Sequence, residues 1–261
     1  NIIGEHTDYN DGFVFPFAIE YRTTVDLTVR IDHRLRVSSS FDPEPVEVAL
    51  DALDDLFPAR RDEVVEWARY PLGVAWALLH ATSTDPASVP GVDLVLRSDV
   101  PVGAGLSSSA AIEGATAVAL NDVWRLDQSR VTLAKVGRRA ENEAVGAPTG
   151  IMDQMASLLG RPDAGTFLDC RTLDAEVTEL GSFASQFRTL FGNQGTQETC
   201  ACGIRRRMTA IASALSSTSS ALRPSAWATA PVVPLPQPPR SPGRLDAWTM
   251  RRTTPSGFCV G

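Results

Sequence analysis

Apolar and polar residues alternate over Val25, Leu27, Val29 and Ile31, with Asp26, Thr28 and Arg30 between them. A period of two sends successive side chains to opposite faces, so this stretch predicts a strand with one buried face. Asp32-His33-Arg34 then predicts a turn, and Leu35 and Val37 begin the return strand. Val92, Leu94 and Leu96 repeat the alternation and predict a further strand. Residues 62–80, DEVVEWARYPLGVAWALLH, predict a helix that Pro71 should kink or split. An Ala-rich helix follows Ser107–Ser109. A polar helix is predicted over 130–145, a short apolar one over 151–159 and a strand over Gly165–Asp169. After Leu180 the periodicity fades. Pro231, Pro234, Pro236, Pro238, Pro239 and Pro242 exclude regular structure, and that region is expected to be disordered. No repeat is visible. Strands and helices mix without strict alternation, which predicts an α+β fold.

The chain has 261 residues, enough for one large domain or two small ones. It has no run of about 18 or more apolar residues, so no membrane span is predicted. The start, NIIGEHTDYN, lacks the basic-then-apolar order of a signal peptide. It also lacks Met, so residues upstream are expected to be missing. Cys170, Cys200, Cys202 and Cys259 show neither zinc spacing nor a disulfide framework. A cytoplasmic location is the default.

Charge divides the chain. Residues 1–185 carry 29 acidic and 15 basic residues, a net −14, whereas residues 186–261 carry nine arginines against Glu198 and Asp246, a net +7. Such asymmetry suggests a basic arm for nucleic acid. The arginines, however, sit among Pro and Ser with no interleaved aromatics, so nucleic acid is not the expected partner. The chain has a single lysine, Lys135, against 23 arginines, as a GC-rich coding sequence produces. An out-of-frame or otherwise non-native tail over 186–261 is the favoured reading.

Two stretches carry chemistry. In PVGAGLSSSAA, residues 101–111, a strand ends, two glycines free the backbone, three hydroxyls follow and a helix begins. The free N–H groups and dipole of a helix start make an anion site, and glycines let a phosphate approach. The plain alternative is a serine cap on an ordinary helix. The loop has neither the lysine of a P-loop nor dinucleotide spacing. The opening NIIGEHTDYNDG sets Glu5, His6, Asp8, Asn10 and Asp11 against an apolar run. It reads as a loop that presents polar groups; a turn with capping acids is the alternative.

Together with GIMDQ at 150–154, and in this order, these stretches resemble the galactokinases among the GHMP small-molecule kinases. The resemblance runs from Asn1 to about Leu180. It implies two α+β domains with the active site between them: a GHMP-kinase N-terminal domain over 1–160, the start of a second, incomplete domain over 161–185, and the tail over 186–261. It implies ATP at Gly103, Ala104, Gly105, Leu106, Ser107, Ser108 and Ser109, and galactose phosphorylated on its anomeric hydroxyl. Glu5, His6, Thr7 and Asp8, with Gly150 and Asp153, would bind the sugar. Carboxylates accept well from a ring of hydroxyls. Asp153 would be the catalytic base, kept ionised by a helix N-terminus. Ser109 and Glu141 would hold Mg²⁺, a hard cation that takes oxygen ligands. Trp67 resembles a tryptophan near adenine, with a core role as the alternative. The expected partners are galactose and ATP, and the default state is a monomer.

The resemblance has three gaps. The family's arginine two positions before the residue matched by Asn1 lies outside the chain. The family's later sugar-contacting tyrosine has no counterpart, because Tyr70 is the last tyrosine. The C-terminal Gly- and Ser-containing motif is absent. The chain as given is therefore expected not to be an active kinase. A non-catalytic sugar- and nucleotide-binding regulator is the other class, although Asp153 and Glu141 are both retained.

Overall fold

The computed structural model describes residues 1–42 and 44–181. The expectations for residues 182–261, the tail among them, lie outside the described residues. The elements run β1 (Phe13–Val14), β2 (Thr23–Val29), β3 (Arg34–Ser39), β4 (Val46–Ala49), α1 (Leu53–Leu56), α2 (Glu66–Thr82), β5 (Val92–Ser98) and α3 (Ser108–Val123). Then come α4 (Arg130–Arg139), a π-helical segment (Ala140–Val145), α5 (Met152–Leu159), β6 (Ala164–Asp169) and β7 (Ala175–Glu179). No helix among the described residues is long and apolar enough to cross a membrane.

One sheet has the strand order β2-β5-β3-β4. Its inner face follows from the alternation: Val92, Leu94 and Leu96 of β5 and Leu35 and Val37 of β3 are buried, with Val25 and Leu27 of β2 packed beside them. The outer face is polar. Arg30 pairs with Asp32 at 2.7 Å and with Asp93 at 2.8 Å, Arg34 pairs with Glu47, and Arg97 with Asp26. The predicted strand is shorter than its pattern: β2 ends at Val29, and Val29 and Ile31 are exposed. The return strand does run back, but it does not pair with β2. β5 lies between them, antiparallel to β2 and parallel to β3.

Helix α2 is buried without a break from Tyr70 to Leu79. A helix that is apolar all round belongs in a core, and α2 packs with α3 and the sheet in the larger apolar cluster. Pro71 neither splits nor ends it: the helix starts at Glu66 and continues through the proline. Five residues in, the proline forgoes a bond to the Trp67 carbonyl, and its buried neighbours on every side hold the helix together. Ser129 starts α4 by accepting from the Thr132 N–H at 3.1 Å. Arg138 and Arg139 in its last turn suit the negative end of the helix.

A second sheet, β1-β6-β7, brings β6 against the start of the chain. Val14 and Leu168 from this sheet, Ala134 of α4, and Ile151, Met152 and Met155 from α5 and the residue before it form a smaller core. Residues 1–17 are thereby fixed beside α5. The architecture is α+β, as the mixed pattern predicted.

Candidate active site

The glycine–serine loop reaches α3 in an unusual backbone state. Gly103 and Gly105 have φ of +71° and +67°, and an added Cβ at either would meet nothing within 4 Å. The glycines are needed for their backbone angles, not to avoid a neighbour. Residues 101–106 are exposed. Ser107 has φ +57°, and its hydroxyl makes no capping bond to α3. The plain serine-cap alternative therefore does not describe this loop. Among the described residues no side chain caps the first N–H groups of α3, and such groups at a helix start suit an anion.

The opening stretch folds on Thr7. Its hydroxyl donates to the Gly4 carbonyl at 2.7 Å and to the Phe13 carbonyl at 3.1 Å. Thr7 thus shapes the loop through its hydroxyl. Glu5 and His6 are exposed, and the His6 backbone is left-handed at φ +62°. Asp8 turns inward. Its Oδ2 accepts from the Met152 N–H at 3.4 Å, and a Cβ on Gly150 would fall on its carboxylate. Gly150 is required by this close approach.

Asp153 lies in the first turn of α5. Its carboxyl is raised above the usual aspartate range, chiefly by burial; the nearby Ser107 hydroxyl opposes the rise, while Asp8 adds to it. The same interactions bring Asp8 of the opening, Ser107 of the loop and Asp153 of GIMDQ to one place.

Glu141 lies in the first turn of the π-helical segment and is 5 % exposed. Such segments often mark functional positions. Here the chain then doubles back. Asn142 Oδ1 accepts from the Thr149 N–H at 2.8 Å, and the Thr149 hydroxyl donates to Glu141 Oε2 at 2.6 Å. This fold-back turns a separation of twelve residues in sequence into proximity between Glu141 and Asp153.

Two further side chains at the site, Gln154 and Glu113, lack a distinctive motif role in the sequence. Gln154 Nε2 donates to Glu141 Oε2 at 2.8 Å and to Glu113 Oε2 at 2.9 Å. Glu113 is wholly buried on α3, and burial, then Glu141, holds its carboxyl well above the usual range. The available clue was spacing: Glu113 lies four residues after Ser109, on the same helix face. Tyr70 is pushed up to about 12 by burial and then by Glu141 and Glu113. Trp67 packs against the larger core with its indole N–H buried and unpartnered, in line with the core alternative.

Because the folded pKa of Glu113 is raised, the folded state holds a proton that the unfolded state releases sooner. Its stabilising effect is full below the unfolded glutamate pKa and is lost as pH rises through the folded value. Glu113→Gln should therefore flatten the decline in stability on going from about pH 5 to pH 8. Urea unfolding across that range is the measurement; parallel pH profiles for the two proteins would contradict the assignment.

Comparison with known proteins follows the same division. Residues 69–161 match the GHMP kinases N-terminal domain, and residues 1–28 match the galactokinase galactose-binding signature. A galactokinase from Lactococcus lactis, solved in complex with galactose, is 33% identical with a TM-score of 0.61, over 69% of this chain and 44% of that one. The Methanococcus jannaschii mevalonate kinase is 15% identical with a TM-score of 0.57, over 82% of this chain and 69% of that one, and shares the fold. This chain thus spans less than half the length of the galactokinase it matches. The family relationships support a kinase function. Behind a galactokinase galactose-binding signature, the chain carries a GHMP kinase N-terminal domain.

Proposed function

We propose that this chain supplies the sugar- and nucleotide-binding part of a galactokinase, which transfers the γ-phosphoryl group of ATP to the anomeric hydroxyl of galactose. One observation carries the reading: Asp8, Ser107 and Asp153, from three motifs far apart in sequence, converge on one place. The galactokinase with 33% identity was solved with galactose bound, which supports the sugar.

Each residue has a task. Asp8 accepts from sugar hydroxyls, and the exposed Glu5 and His6 close over the ring. Asp153 takes the anomeric proton as the oxygen–phosphorus bond forms and the γ-phosphorus–oxygen bond to ADP breaks. The products are galactose 1-phosphate and ADP. A carboxyl raised by burial is a better proton acceptor than an exposed one. The loop Gly103–Ser109 and the first N–H groups of α3 take the phosphates. Such transfer depends mostly on positioning and charge neutralisation.

The residues suit Mg²⁺. Glu141 Oε2 is occupied, whereas Oε1 accepts from no described residue and is not among the sealed, unpartnered oxygens. Among the described residues no group of three or more His, Cys, Asp or Glu could hold a metal alone. That agrees with a cation held by one or two protein oxygens plus phosphate and water. Glu141 and Ser109 would hold it, and when bound it neutralises charge on the phosphates.

Calorimetric titration of the 261-residue chain with galactose tests the sugar half. Saturable binding is expected, weakened roughly 10-fold or more in Asp8→Ala, as for loss of a charged hydrogen bond. Equal affinity in the two proteins would overturn the sugar role of Asp8.

A further inference from the structure

Two buried polar groups beside Glu141, Gln154 and Glu113, form a chain of contacts with a direction. Gln154 is 1 % exposed and Glu113 0 %. An amide nitrogen has two hydrogens. In Gln154 one goes to Glu113 Oε2 and the other to Glu141 Oε2. Two acceptors on different elements fix the amide plane, since turning it would break both bonds. Thr149 adds a second donor to the same Glu141 oxygen. All the restraint therefore falls on Oε2, and Oε1 keeps its lone pairs.

This arrangement is costly for the core. Glu113 Oε1, Gln154 Oε1 and Thr116 Oγ1 are buried without partners. A buried polar atom without a partner destabilises a fold, and an apolar residue at 113 would avoid the cost. α3 also carries Ser109, one turn before Glu113 and on the same face. The Glu113–Gln154–Glu141 contacts therefore tie the helix bearing one candidate cation ligand to the segment bearing the other.

We propose that Glu113 and Gln154 are positioning residues for a divalent cation: Glu113 anchors the Gln154 amide, and Gln154 with Thr149 holds Glu141 by Oε2 so that Oε1 is presented to the metal. The inference rests on the reading of Glu141 as a cation ligand. Groups that orient a ligand commonly contribute about 10–100-fold to metal affinity. Neither residue touches substrate, so metal-free nucleotide binding should be nearly independent of them.

The test uses the full 261-residue chain with ATP and Mn²⁺, which substitutes for Mg²⁺ and is counted by its paramagnetic signal. Gln154→Met removes the amide at similar volume and should weaken Mn²⁺ binding in the presence of ATP by about 10-fold or more. Affinity for metal-free ATP should change less than about 2-fold, because a positioning role acts only through the ligand. Glu113→Leu should behave like Gln154→Met, and Glu113→Gln, which keeps an acceptor for the amide, should restore near-native Mn²⁺ affinity. Should the core variants fail to fold, Thr149→Val removes the other donor from a half-buried position and should weaken Mn²⁺ binding in the same sense. Native Mn²⁺ affinity in folded Gln154→Met or Thr149→Val, with only the unfolding midpoint lowered, would overturn the proposal. Glu141→Gln separates the two readings. If it abolishes the metal dependence while Gln154→Met does not, the positioning role fails and the ligand role stands; if the metal dependence survives Glu141→Gln, both fail.

Discussion

Asp153→Asn should lower galactose phosphorylation by roughly 100-fold or more, the usual scale for a lost general base. The substitution keeps the shape of the side chain and removes its proton affinity. Galactose binding should change little. The measurement suits a chimera carrying residues 1–180 of this chain on the remainder of the Lactococcus lactis galactokinase, because this chain covers 44% of that protein. The pH dependence adds a second signature. Burial raises Asp153 above the ordinary aspartate value, so turnover should fall as pH drops through that raised value, where the carboxyl gains a proton. Near-native turnover in the variant would remove Asp153 from the base role.

Gly150→Ala should weaken galactose binding by about 10–100-fold, the equivalent of one or two charged hydrogen bonds. The reason is local and steric. The added methyl would occupy the place of the Asp8 carboxylate. Asp8 is short and must swing away, taking its acceptor oxygens from the sugar and its bond from Met152. Nucleotide binding should be retained, since Gly103 and Gly105 are untouched. Calorimetry with each ligand separates the two effects. Unchanged galactose affinity would mean that Asp8 does not face the sugar.

The sequence was legible where chemistry or burial leaves a local trace. The loop at 101–111, the GIMDQ stretch and the helices beside them stand out because glycine, serine and apolar spacing are constrained within a few residues. Strand faces were legible for the same reason, as Leu35, Val37, Val92, Leu94 and Leu96 show. Strand partners were not. Alternation says which face is buried, and nothing in residues 25–37 signals that β5 will come between β2 and β3. β7 has no buried residue, so it left no pattern to read. Pro71 misled because its local cost is overridden by packing around α2. Glu113 and Gln154 were missed because a lone acid in an Ala-rich helix resembles a solvated one, and it is the packing of α4 and α5 against α3 that buries it. Thr7 shows the converse: a residue inside a recognisable motif spends its hydroxyl on the backbone.

The convergence of three motifs on one reaction is tested most directly by identifying the product. The chimera, given galactose and MgATP, should yield a single sugar phosphate whose phosphorus signal couples to the anomeric proton, and Asp153→Asn should suppress it. Phosphate on any other hydroxyl, or ATP consumption that does not depend on galactose, would contradict the assignment of Asp8, Ser107 and Asp153 to one active site.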